Sequence, residues 1–161
     1  MSESIRDSSA APAVELCCVY VGGEVLGMPI RHIIEILGAV QPLTVPLAPA
    51  FVGGLAHYRG EVLMTVSLRR LLDMPPAEGP QDMLVLESPN DCFGLLVDAA
   101  GEVLSASALD FEKAPSTLSE GTAGLFAGTC MLPNRLLALL NPEHLDPMRL
   151  SERLALQVNP R

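Results

Sequence analysis

The chain has 161 residues, 49% of them apolar, which suits one domain or two small subdomains sharing a core and argues against disorder throughout. Its 19 acids and 10 bases leave a formal charge of −9, which argues against a duplex-binding face. Aromatic residues make up only 4%, with no Trp, so a stacking platform for single strands is not expected either. The charge is local: ten acids and one base, Lys113, lie between Asp73 and Glu120, which accounts for the whole −9.

Residues 1–14 are small and polar without periodicity and read as a flexible tail. No apolar stretch reaches signal-peptide or membrane-spanning length, which predicts a cytoplasmic protein with no direct membrane insertion. Residues 16–21 form a short apolar strand ended by Gly22-Gly23, and 24–30 form a second, which Pro29 confines to an edge or an end. A third strand covers 33–37. Three prolines between Pro42 and Ala50 make that stretch an ordered loop. Strands at 55–58 and 61–66 flank the turn Arg59-Gly60, and Ser67 caps a short helix through Leu68, Leu71 and Leu72. Residues 74–81 read as a linker.

Strands resume at 83–87 and 92–97, with a shorter one at 101–104. Residues 105–123 are mostly polar and read as a surface loop. Strands at 125–132 and 135–140 flank Pro133-Asn134, and Asn141-Pro142 opens a last short helix. Residues 147–161 read as a C-terminal helix or tail, with Leu150, Leu154 and Leu156 on one side. The main body is therefore 15–146, in approximate halves 15–73 and 82–146.

The halves echo each other. Gly27 and Glu35-Ile36-Leu37 recur at one common offset as Gly94 and Glu102-Val103-Leu104. Gly54 and Leu71 recur at a second, slightly larger offset as Gly128 and Leu145. The difference between the two offsets calls for about seven extra residues in the second half, and 105–123 is the stretch that can hold them.

Residues for catalysis are sparse. There is no phosphate-binding Gly-rich loop, and no Gly-x-Ser-x-Gly elbow. His32, His57 and His144 are far apart, and the four cysteines form no Cys-x-x-Cys pair, so neither a metal nor another cofactor is expected. A Cys130 nucleophile served by His144 is the one arrangement left open, although Cys130 lies in what reads as a buried strand. Asp98 and Glu102 read as a solvated acidic surface.

The most informative segment is Val45-Pro-Leu-Ala-Pro-Ala-Phe-Val-Gly-Gly-Leu-Ala-His-Tyr-Arg-Gly-Glu-Val-Leu-Met-Thr-Val-Ser-Leu-Arg. It resembles the central signature of CheW-type chemotaxis coupling proteins, a Pro-x-x-Pro stretch followed by Val-x-Gly-Val, Asn-Leu-Arg-Gly, Val-Ile-Pro-Val and Asp-Leu-Arg. Ile33-Ile34-Glu35-Ile36 resembles the family's Val-x-Glu-Ile, and Phe93–Asp98 with Glu102-Val103-Leu104 resembles its Val-Gly-Leu-Val-Val-Asp and Glu-Val-Leu. The closing hairpin agrees as well. Three departures stand out: His57-Tyr58 for Asn-Leu, Met64 for the strand Pro, and Ser67 for Asp.

The resemblance implies an all-β fold of two small five-stranded SH3-like barrels packed around a shared apolar seam, with short helices. It implies a non-catalytic adaptor, not an enzyme, with two partners: a chemoreceptor cytoplasmic tip and the regulatory domain of a CheA-type histidine kinase. An adaptor of a pilus-motility or other chemosensory array, or a stand-alone kinase regulatory domain, are the alternatives. Glu35 and Arg59 carry over as a pair near the receptor-facing surface, with Arg59 placed for a bidentate carboxylate bond. Tyr58, Ile33, Ile36 and Val45 are further candidates for protein binding. No metal ligand and no catalytic residue carries over.

Overall fold

The computed structural model describes residues 13–89, 91–107, 110–113 and 124–158, with side chains given only to 152 in the last helix. Eleven strands are formed among these residues: β1 (Ala13–Val21), β2 (Glu24–Pro29), β3 (Ile33–Val40), β4 (Val52–Tyr58), β5 (Glu61–Ser67), β6 (Gln81–Glu87), β7 (Cys92–Val97), β8 (Ala99–Ser107), β9 (Phe111–Lys113), β10 (Phe126–Met131) and β11 (Leu136–Leu140). A five-stranded sheet has the order β3-β6-β7-β5-β4, and a six-stranded sheet has the order β8-β1-β2-β11-β10-β9. Each curls around its own small core. Ala56, Leu63, Met83, Val85 and Leu96 fill the first barrel; Leu16, Ala106, Cys130, Leu137 and Leu139 fill the second.

A larger cluster joins the barrels, with Val19, Val21, Leu26 and Met28 from one and Leu84, Leu86, Phe93, Leu95 and Val97 from the other. Strands β6 and β7 therefore bury both faces. Met83 and Val85 point into the barrel while Leu84 and Leu86 point into the seam. That is why these strands read as continuous apolar runs and not as alternating ones.

The two sheets cut across the sequence halves 15–73 and 82–146. The first half places β1–β2 in one sheet and β3–β5 in the other, and the second half does the reverse. The repeat explains this exchange. Leu16↔Pro29 in the β1–β2 pairing corresponds to Met83↔Leu96 in β6–β7, at the same offset that relates Gly27 to Gly94. Gly54↔Thr65 in β4–β5 corresponds to Gly128↔Leu139 in β10–β11, at the larger offset that relates Leu71 to Leu145. The irregularity between Val52 and Gly54 recurs between Phe126 and Gly128. Parallel contacts repeat too: Gly94 faces Thr65, and Gly27 faces Leu139. Even the closing hydrogen bond from Ser67 N to Phe51 O (2.8 Å) recurs from Asn141 N to Leu125 O (2.8 Å).

Several boundaries differ from expectation. The composition places a tail up to residue 14, but Ala13 and Val14 already pair with Ser107 and Ala106; residues 1–12 lie outside the described ones. β8 is longer than 101–104 because β1 supplies it with partners from Tyr20 back to Ala13. The expected 105–123 loop contains the end of β8 and all of β9; 108–109 and 114–123 lie outside the described residues. β9 pairs with Gly128, Thr129 and Cys130 and gives the second barrel its sixth strand. Its counterpart in the first barrel is a single bridge, Leu43↔Leu55, closed by two 2.8 Å hydrogen bonds. Neighbouring prolines stop that bridge from growing into a strand.

Pro29 ends β2, and Ile30–His32 make one 3-10 turn into β3. Ser67 caps Leu68–Leu71 by accepting the Arg70 N–H at 3.3 Å, and Asn141 caps Pro142–Leu145 through the Glu143 N–H at 3.2 Å. Asp146 caps the C-terminal helix Pro147–Val158, which docks Leu150 into the seam. The expected Leu154 and Leu156 stripe lies outside the described side chains, and 159–161 outside the described residues.

Candidate protein-interaction site

Strand β3 brings Glu35 to the rim of the first barrel, where the β4–β5 hairpin turns. The hairpin uses a two-residue turn with Arg59 at φ 50° and Gly60 at φ 78°. Such turns favour Asn-Gly, because a side chain with a full β-carbon is strained in the left-handed region. The arginine sits there nonetheless. Its Nη2 donates to Glu35 Oε1 at 2.9 Å and its Nε to the same oxygen at 3.2 Å. The Tyr58 hydroxyl also donates to Oε1 at 2.9 Å, while accepting from Arg59 Nε at 3.0 Å. The guanidinium lies 5.4 Å from the Tyr58 ring centre.

The expected pair is thus formed, but not as a bidentate fork, since every donor converges on one carboxylate oxygen. Donation from Arg59, then from Tyr58, holds the Glu35 carboxyl below its usual range. The Arg59 side chain is 72% exposed and that of Glu35 35%. Tyr58 packs against the barrel core and turns its hydroxyl to the corner. The departure from Asn-Leu to His57-Tyr58 is what supplies this third donor.

The apolar candidates do not gather at the corner. Ile36 is exposed but alternates to the opposite strand face from Glu35. Ile33 packs against the shared seam. Val45 lines an open groove of about 900 Å³ beneath the proline-rich loop, with Arg70, Glu78 and Leu96, and neither Glu35 nor Arg59 lines it. Next to it, Val45–Ala48 form a turn in which Leu47 has φ 64° and is fully exposed.

The bidentate fork appears elsewhere. Arg69 Nε and Nη2 reach Asp98 Oδ1 and Oδ2, both at 2.8 Å. Asp98 Oδ2 also accepts the Gly22 N–H at 2.8 Å, and Arg69 Nη1 donates to Pro75 O at 2.9 Å. Asp98 stands where the chain crosses from β7 in one barrel to β8 in the other, so this cluster ties both barrels and the linker together. Asp98 is therefore not part of a solvated acidic surface, and that expectation is incorrect. Arg69, followed by the Gly22 N–H, holds its carboxyl below the usual range. The sequence signal was Arg69 in the Leu-Arg step after Ser67 and Asp98 ending the Leu-Val-Asp strand.

The cysteine–histidine arrangement has no support. Cys130 is fully buried, and burial pushes its thiol up. His144 directs Nδ1 at the Gly124 carbonyl, 2.6 Å away, which makes that nitrogen a donor. Among the described residues, no three His, Cys, Asp or Glu side chains converge to hold a metal. No helix among them is long and apolar enough to cross a membrane.

Comparison with known proteins agrees with this architecture. Chemotaxis protein CheW of Rhizobium meliloti is 29% identical over 135 residues, 83% of this chain and 87% of its own. Chemotaxis protein CheW of Helicobacter pylori is 28% identical over 127 residues, 78% of this chain and 76% of its own. Protein FrzA of Myxococcus xanthus is 36% identical over 78 residues, about half of each chain. The solved scaffolding protein TtCheW from Thermoanaerobacter tengcongensis superposes with a TM-score of 0.75 at 18% identity, over 83% of this chain and 92% of its own, and shows the same fold. The model of the CheW-like domain matches residues 15–147, and with two SH3-like barrels closed in matching register the chain belongs to the CheW-like family.

Proposed function

We propose that the protein is a non-catalytic adaptor that couples the cytoplasmic tip of chemoreceptors to the regulatory domain of a CheA-type histidine kinase, on the cytoplasmic side of membrane-associated receptor arrays. The observation that carries this reading is the Glu35–Tyr58–Arg59 corner. A strained left-handed position holds an exposed arginine where Asn would satisfy the turn at lower cost, and such strain is a mark of functional sites. Glu35 and Tyr58 fix the guanidinium in place, which lowers the entropy lost when a partner docks on it. An adaptor of this kind needs no chemistry, only different affinities for two receptor states.

The test is co-sedimentation with a receptor cytoplasmic fragment and, separately, with a kinase regulatory domain. Arg59→Ala should weaken at least one association tenfold or more while leaving the melting temperature within error of the wild type. Unchanged binding to both partners refutes the role of the corner, and wild-type protein that binds neither refutes the adaptor reading. His57, Tyr58 and Ser67, which depart from the family pattern, favour a second reading: an adaptor of a pilus-motility or other chemosensory array. Offering receptor fragments from each array in the same assay separates the two.

A further inference from the structure

Among the exposed apolar side chains of the described residues, Leu47 stands apart twice. It is 103% exposed, and it alone of them holds a left-handed backbone, at φ 64°. The turn Val45–Ala48 closes with the Ala48 N–H donating to Val45 O at 3.4 Å. Leu47 takes the third position of that turn, directly after Pro46, where Gly or Asn is ordinarily found. Leucine there carries both backbone strain and apolar surface held in water, and no packing within the chain offsets either.

The turn is the crown of a rigid arch. Two 2.8 Å hydrogen bonds between Leu43 and Leu55 clamp one foot, and at the other the Val52 N–H donates to Pro49 O at 3.0 Å. Pro42, Pro46 and Pro49 fix the backbone between the feet. A side chain carried on such a frame loses little freedom when a partner closes over it. The arch is also uncharged: residues 36–58 contain no Asp, Glu, Lys or Arg, the longest such stretch in the chain. A contact made through its crown is therefore apolar, unlike one made through the Glu35–Arg59 corner.

We propose that Leu47 is the anchor by which the protein docks on the regulatory domain of the kinase, entering an apolar pocket of that domain. The inference rests on the adaptor reading above. An adaptor holds receptor and kinase at once and so needs two separate surfaces. The charged corner, which the resemblance puts near the receptor-facing surface, is one, and neither Glu35 nor Arg59 lines the groove beside the turn. The uncharged arch is the other. A single apolar side chain raised on a rigid turn has the form of a hot-spot anchor, which fills a desolvated pocket in a folded partner domain.

The test titrates the full-length chain and its variants with a kinase regulatory domain and, separately, with a receptor cytoplasmic fragment, and records the Tm of each variant. Leu47→Asn should weaken the kinase association about tenfold or more, leave the receptor association within about twofold, and melt no lower than the wild type. Leu47→Met, with an apolar side chain of similar size, should keep most of the kinase affinity. Kinase binding unchanged in Leu47→Asn overturns the inference and leaves the adaptor reading standing. So does a loss that falls on the receptor instead, or equally on both partners. A loss accompanied by a lower Tm overturns it too, because the side chain then serves the fold. Wild-type chain that binds neither partner refutes the adaptor reading itself.

Discussion

Replacing Asp98 by Ala removes the acceptor for Arg69 Nε, Arg69 Nη2 and the Gly22 N–H, three contacts at 2.8 Å. Hydrogen bonds to a charged group are worth about 1.5–3 kcal/mol each when their loss leaves the partner unsatisfied. The Arg69 and Asp98 side chains are 21% and 29% exposed, so water partly replaces what is lost and the three do not add. We expect a loss of about 2–4 kcal/mol, or about 5–10 °C in Tm for a chain of this size. Asp98→Asn keeps one carbonyl acceptor and should lose roughly half of that.

Urea unfolding of the wild type, Asp98→Ala, Arg69→Met and the double variant measures the pair coupling directly. The pH dependence has a definite sign. Because the folded-state carboxyl is held below its ordinary range, its contribution is complete above the unfolded pKa of about 3.9 and disappears as pH falls through the lower folded value. The gap between wild type and Asp98→Asn should therefore be constant at neutral pH and close only in acid. A loss below about 0.5 kcal/mol for Asp98→Ala, within the range of ordinary surface substitutions, refutes the cluster as an inter-barrel tie.

Other substitutions probe the backbone and the seam. A β-carbon on Gly54 would press against the Leu43 carbonyl oxygen, a backbone atom, at φ 123°, so Gly54→Ala should cost more than about 3 kcal/mol by urea unfolding and open the Leu43–Leu55 bridge. Leu47→Asn suits the left-handed turn better than leucine and should raise stability by about 0.5–1 kcal/mol in calorimetry; an unchanged Tm would mean the turn is not strained. Burial pushes up the thiols of all four cysteines, but Cys17, Cys18 and Cys130 are fully buried and Cys92 is half-buried. A thiol reagent at pH 8 should thus label at most one cysteine in the folded protein and all four in urea, and rapid native labelling of three contradicts the packing.

Strand positions were readable because turn chemistry brackets them: Gly22-Gly23, Arg59-Gly60 and Pro133-Asn134 all lie at hairpin ends. The repeat was readable from Gly27 and Gly94, which face the parallel neighbour of their sheets. The exchange of hairpins was not. Periodicity says which face of β6 is apolar but not which strand lies beside it, and both faces of β6 are buried. β9 was missed because three residues of pairing leave no pattern against a polar background. At the site, the residues alone place Glu35 on a strand and Tyr58-Arg59 at a hairpin turn, and it is the family resemblance that puts Glu35 and Arg59 side by side. Ile33 faces the shared seam and Val45 an open groove, because an apolar residue does not announce from sequence which surface it lines. The Leu-Arg and Leu-Val-Asp steps mark Arg69 and Asp98 singly, but their pairing is not legible, since they belong to different halves and only the crossing of the chain brings them together.

The exchanged connectivity also fixes an order of events during synthesis. Residues 13–29 are the first described segment to leave the ribosome, yet Leu16 must await Leu104 and Gly27 must await Leu139. The five-stranded barrel can close once β7 has emerged, while the β1–β2 hairpin lacks its partners until β8 and β11 follow. Such distant pairing slows folding and leaves an apolar edge open to neighbours on the same polysome. A chain shortened before β11 should therefore aggregate through β1–β2, so strands made late decide whether strands made early ever become safe.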